Sequence, residues 1–182
     1  STLTAVKNRF GMGHGVYMEF TWAVGEASML YTSPVVQSIL PTLLTNHIHL
    51  LAFFPAFYLN SNDEAINTPG LSSAQIVAIS GEPANIPGSY NYHPGHPAWR
   101  QLITAYASNA VALGGGGVYL DAPILGQDYN LLYGHQGGGS HFAEGLRLLM
   151  DETLSSMQAV NPEATFFTEA DAARRLLKRS TR

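Results

Sequence analysis

Residues 114–126 read GGGGVYLDAPILG, and the fold of the chain turns on them. Four glycines lead into a short apolar run, Val118 to Leu120, which ends on the carboxylate Asp121 and an Ala-Pro pair. A β-rich run bounded by glycine and proline reads as a buried strand. A carboxylate at such a strand's C-terminal end is where parallel β/α proteins place their chemistry.

Outward from this strand the chain alternates strand and helix. Upstream, Pro97 opens a helix with Trp99, Leu102, Ile103, Tyr106 and Ala110 on one face, and Gly114 to Gly117 close it. Before it, residues 60–96 form a long polar stretch rich in proline and glycine, long enough to carry a small excursion of its own. Ile48 to Phe54 is apolar on both faces, as a covered parallel strand should be. Ser33-Pro34 predicts a helix start, and Val35, Val36, Ile39, Leu40, Leu43 and Leu44 follow at helical spacing, with Pro41 as a potential break. Gly15 to Ala23 reads as the first strand. Downstream, Phe142, Leu146, Leu149, Met150, Leu154 and Met157 predict a long helix after Ser140, stopped by Asn161-Pro162. Thr165 to Glu169 is a fourth strand, and Asp171 to Lys178 a final short helix.

Repeated βα units imply an α/β fold with a parallel sheet. A doubly wound sheet and part of a (β/α)8 TIM barrel both fit this order. A complete barrel needs about 250 residues, whereas this chain has 182. The barrel reading is therefore a partial one of about four βα units, a single domain over residues 1–182 and a piece of a longer chain. By themselves, four such units would leave strand edges exposed, so self-association or a missing barrel half is expected.

Composition narrows the function. Only 12% of residues are charged and the formal net charge is -4, with 9 Lys+Arg, which leaves no electrostatic footprint for nucleic acid. The cluster Arg174, Arg175, Lys178 and Arg179 reads as a solvated helix end. There is no cysteine, hence no thiol nucleophile and no thiolate metal site. No apolar stretch is long enough to span a bilayer. Compartment is left open by these features, and no cofactor is called for.

Asp121 and Glu169 end successive predicted strands. Each alone could be a turn former or a helix cap. Together, at equivalent positions of consecutive βα units, they point to paired carboxylates. Neighbouring strands lie roughly 4.8 Å apart, which lets the carboxyl groups approach the ~5–5.5 Å of a retaining glycosidase.

The segment GGVYLDAPILGQDYNLLYGHQGGGSHFAEGLRLLM, followed by NPEATFFTEA, resembles the core of a glycoside-hydrolase-like family of TIM barrels. Its features are a strand ending Tyr-Leu-Asp, a His- and Gly-rich loop, a helix, and a strand ending Thr-Glu. HPGHPAWRQLI is similar to the helix start that precedes them. The resemblance covers residues 92–170 and extends distantly to the α-amylase-like barrels. It implies a retaining O-glycosyl hydrolase of carbohydrate metabolism, with Asp121 as nucleophile and Glu169 as general acid/base. Ala122 departs from the polar residue the family carries after the aspartate.

Further candidates surround this pair. His135 and His141, in the loop GHQGGGSH, could hydrogen-bond sugar hydroxyls, though Ser140 as a helix cap explains the loop equally well. Asp128 precedes the same loop. Trp22, Tyr58 and Tyr133 could stack on sugar faces, and Glu19 is a carboxylate within the first strand. Two rival readings stay open. A metal-dependent hydrolase would use the histidines of HPGH (His93, His96) and NHIH (His47, His49). A non-catalytic carbohydrate-binding fragment would use none of these chemically. Gly114 to Gly117 is no dinucleotide fingerprint, because it precedes a strand. No Gly-x-Ser-x-Gly elbow is present either.

Overall fold

The computed structural model describes residues 15–19, 33–121 and 139–168, with residues 15–19 and 139–141 described by their backbone. The elements in chain order are β1 (Gly15–Glu19), α1 (Pro34–Thr45), β2 (Ile48–Pro55), β3 (Tyr58–Asn60), β4 (Ser89–Asn91), α2 (Pro97–Ala112), β5 (Gly117–Asp121), α3 (Gly139–Val160) and β6 (Thr165–Thr168). Strands β1, β2, β5 and β6 form one wholly parallel sheet in that order.

That order separates the two sequence-compatible folds. A doubly wound sheet reverses its strand order at a switch point and carries helices on both faces. Here each strand lies beside the one that precedes it in the sheet, and α1, α2 and α3 all pack on one face. Val36, Leu40 and Leu43 of α1, Trp99, Ile103 and Ala107 of α2, and Leu149 and Met157 of α3 share a single core with Leu50, Ala52, Phe54, Val118 and Leu120. The alternate residues Leu51, Phe53 and Tyr119 point to the opposite face, where Phe53 and Tyr119 stack with ring centroids 5.7 Å apart. Helices outside and aromatic residues inside are the layers of a barrel wall.

Glycines 114–117 do two jobs. At the end of α2, Gly114 adopts φ 104° while its N–H donates to Val111 and the N–H of Gly115 donates to Ala110. This pair of bonds is a Schellman ending, which favours glycine at the left-handed position. Gly117 then enters β5 at φ 141°, and a Cβ there would lie 1.7 Å from the carbonyl oxygen of Thr165. The register Gly117↔Thr165 thus depends on a residue without a side chain.

Pro41 does not break α1. It removes the helical donor to the carbonyl of Gln37, and both residues are exposed, which leaves that carbonyl accessible to solvent. The buried stripe of α1 is narrower than the spacing suggested: Val36, Leu40 and Leu43 are buried, whereas Val35, Ile39 and Leu44 are exposed.

The stretch over residues 60–96 is an ordered excursion on the wall. β3 and β4 pair antiparallel, with Tyr58 opposite Asn91. Two 3-10 turns, Glu64–Asn67 and Leu71–Ala74, bury Ala65, Leu71 and Ala74 against the core. Tyr92 seals the junction. It is 3% exposed and stacks on Trp99 with centroids 5.0 Å apart.

Burial, followed by the nearby Tyr90 and Asp63, pushes the Tyr92 phenol up to about 12. An unfolded chain releases this proton near about pH 10. Above that pH the native state holds a proton the unfolded state has lost, so stability falls as pH rises toward about 12. Below about pH 10 both states are neutral and the group contributes no pH dependence. Urea midpoints taken across this alkaline window are expected to drop, and less steeply in Tyr92→Phe. Equal slopes in the two proteins would refute the assignment to Tyr92.

Candidate active site

The C-terminal ends of β2 and β5 lie side by side, with Pro55 in register with Asp121. Beyond Pro55 the backbone turns along the end of β5, and the N–H of Ala56 donates to the carbonyl of Asp121 at 3.0 Å. The carbonyl of Ala56 accepts from the buried indole N–H of Trp99 at 3.0 Å. The next carbonyl, that of Phe57, accepts from the N–H of Tyr92. Ala56 and Phe57 are therefore held on three sides before the chain reaches Tyr58. Phe57 also anchors a second apolar cluster with Ala56, Ile76, Phe142 and Leu146, which Tyr58 joins from its edge.

This bracing brings two predicted site residues together. The Tyr58 hydroxyl donates to Oδ2 of Asp121 at 3.4 Å, longer than an ideal O–H···O bond. Both residues are half-buried. Burial first, then the charge of Asp121 and its hydrogen bond, push the Tyr58 phenol up from its ordinary range. Tyr58 thus stays protonated and able to donate throughout the neutral range. Its aromatic ring is the expected sugar-stacking platform, and its hydroxyl also binds the carboxylate.

On the other side of Asp121, β5 and β6 are parallel neighbours with Leu120 in register with Thr168. Thr168 is the last described residue of β6. Glu169, Trp22, Asp128, Tyr133 and His135 lie outside the described residues. Glu19 is the last residue of β1, in register with Ala52, and His141 lies in the first turn of α3.

The histidines of HPGH make structural contacts. His93 is 2% exposed, accepts from the N–H of Gly95 at Nδ1 (3.0 Å), and meets the Phe142 ring edge-on. His96 caps α2, with Nδ1 accepting from the N–H of Ala98, and Nε2 lies 3.3 Å from the Ser73 hydroxyl. Gly95, between them, packs backbone to backbone on Gly145 of α3. The HPGH segment is a docking joint between the excursion and α3. His47 follows the end of α1 in a left-handed conformation (φ 55°). Among the described residues, no three His, Asp or Glu side chains gather as a metal site, and no helix is long and apolar enough to cross a membrane.

The roles of Trp99 and Ala56 escaped the sequence reading. Trp99 read as a core residue, and the use of its N–H depends on a backbone carbonyl 43 residues away. No local signal marks such a contact.

No family model matches the chain, and no curated protein matches it in sequence. Solved structures do match. The glycoside hydrolase domain of PelA from Pseudomonas aeruginosa superimposes with TM-score 0.56 at 15% identity, over 92% of this chain and 62% of that one. Ega3 from Aspergillus fumigatus, in complex with galactosamine, gives TM-score 0.56 at 14% identity over 91% and 64%. TtGalA, the alpha-galactosidase from Thermus thermophilus in complex with stachyose, gives 0.57 at 13% over 94% and 37%. The chain thus spans less than two thirds of the length of these proteins. At such identities the likeness is one of architecture: the chain is a partial (β/α)8 barrel with the fold of TIM-barrel glycoside hydrolases.

Proposed function

We propose that the protein is a retaining glycoside hydrolase in which Asp121 is the nucleophile and Glu169 the general acid/base. One observation carries the reading: Asp121 ends β5, and the neighbouring parallel strand β6 runs in a register, Leu120↔Thr168, whose next sequence positions are Asp121 and Glu169. The C-terminal rim of the wall is the location of barrel active sites, and a Glu169 that follows this register would stand beside Asp121 there.

In the proposed reaction, Asp121 attacks the anomeric carbon while Glu169 protonates the departing glycosidic oxygen. A glycosyl ester forms on Asp121 and the aglycone leaves neutral. Glu169, now a carboxylate, takes a proton from water as the water attacks the same carbon, and Asp121 departs. Each step inverts the anomeric centre, so the product retains the starting configuration. His135, His141, Asp128, Glu19 and Trp22 remain proposed sugar contacts. The supporting architectural likeness includes an alpha-galactosidase bound to stachyose and a protein bound to galactosamine. Galacto-configured glycosides are accordingly the substrates to try first.

A fluorosugar with an activated leaving group tests the mechanism. Its fluorine destabilises the oxocarbenium-like transition states, while the good leaving group keeps ester formation faster than hydrolysis, so the adduct accumulates. Peptide mass spectrometry is expected to find the sugar on Asp121, and turnover of an activated aryl galactoside to survive exhaustive chelation. Label on another residue would remove Asp121 from the role. Activity lost to chelator and restored by zinc would favour the metal-dependent alternative.

A further inference from the structure

Asp121 has a phenolic donor on one oxygen, and the reaction gives that contact a specific task. We propose that Tyr58 is a positioning residue that fixes the Asp121 carboxylate through Oδ2 and stabilises it as the leaving group when the glycosyl ester is hydrolysed. The inference rests on Asp121 being the nucleophile.

The contact is built into the barrel wall. The bonds from Ala56 to the Asp121 carbonyl, from Trp99 to Ala56 and from Tyr92 to Phe57 fix the backbone on which Tyr58 sits. The ring is held in turn by edge-on contact with Phe57, centroids 5.6 Å apart. Among the described residues the phenol engages Oδ2, which assigns the ester bond to Oδ1. During the first step Asp121 gives up its charge to that bond, so the phenol's attraction weakens and its contribution is orientation. During the second step the ester C–O bond breaks and the electron pair returns to Asp121. The phenol then donates to a growing negative charge, where a preorganised donor is most effective. Deglycosylation should therefore depend on Tyr58 more than glycosylation does.

Tyr58→Phe tests this in the full protein, since it removes one hydroxyl and keeps the ring that packs on Phe57. With an aryl glycoside whose leaving group makes deglycosylation limiting, kcat and KM are expected to fall together by about tenfold, the effect of one hydrogen bond to a charged group. Because both parameters fall, kcat/KM is expected to stay within about threefold of wild type. The fluorosugar adduct on Asp121 should reactivate correspondingly more slowly. A merely structural role would lower kcat/KM without prolonging the adduct, and that result would overturn the proposal. Wild-type reactivation in Tyr58→Phe, with Asp121 still labelled, would also overturn it while leaving the nucleophile intact. Absence of label on Asp121 in the wild type would remove the nucleophile assignment and this role together.

Discussion

Gly117→Ala is expected to abolish folding or to cost more than about 3 kcal/mol, the range reserved for a few severe mechanisms. Two independent penalties meet at this residue. Its φ of 141° lies where a residue with a side chain is strained. Its added Cβ would also stand 1.7 Å from the Thr165 carbonyl oxygen. The obstacle is backbone, so no rotamer change relieves it; β6 must move away from β5. That movement would break the parallel pairing from Gly117↔Thr165 to Leu120↔Thr168. Gly114→Ala is the informative control, because its Cβ would meet only the flexible end of Leu40 at 3.1 Å. There the left-handed backbone (φ 104°) dominates, and a loss of about 1 kcal/mol is expected. Denaturant midpoints with far-UV circular dichroism would measure both variants. A Gly117→Ala protein within about 1 kcal/mol of wild type would show that β5 and β6 are not in this register.

Asp121→Asn is expected to reduce kcat/KM on an activated glycoside by at least about a hundredfold, with stability close to wild type. The substitution keeps the side chain's size and an acceptor oxygen for Tyr58. It leaves untouched the backbone carbonyl that binds the N–H of Ala56. What it removes is the charge that, in the proposed reaction, attacks the anomeric carbon. Fold and chemistry are thereby separated in one variant. Matched unfolding curves together with lost turnover would support the nucleophile assignment, whereas activity within about threefold of wild type would end it. The same measurement on Glu169→Gln with substrates of rising leaving-group acidity would complete the test. A general acid matters less as the leaving group needs its proton less.

The contrast between Asp121 and Tyr58 marks how far the chain could be read in one dimension. Asp121 stood out because apolar, β-branched residues and bounding glycines announced a strand, and a carboxylate at its end had to be explained. Local chemistry fixed the helices too: the Ser33-Pro34 start, the glycine stop after α2 and the three-and-four spacing along α3 all describe interactions within a few residues. The same patterns left the barrel and the doubly wound sheet equally open. Strand order and the choice of sheet face arise from contacts between elements far apart in sequence, and a strand apolar on both faces looks identical in either fold. Packing decided it, by setting α1, α2 and α3 against one face with Leu50, Ala52 and Phe54.

Residues 60–96 illustrate the same division. Their glycines and prolines announced turns, but only the tertiary structure joins Tyr58 to Asn91 and folds Tyr92 onto Trp99. The histidines of HPGH have the side chains for metal binding, and in the fold His93 and His96 each use Nδ1 to accept a backbone N–H at the start of α2. Tyr58 was visible as an aromatic residue near a strand end, and its partner was not. Its hydroxyl reaches Asp121 across 63 residues because a buried indole, a carbonyl and two strand ends set the backbone between them. The sequence by itself determined the described helices and the strands of the parallel sheet and put a carboxylate at the end of β5, since those depend on neighbours along the chain. The barrel wall and the phenol on that carboxylate were decided by tertiary structure alone, because long-range packing and hydrogen bonding leave no periodic trace.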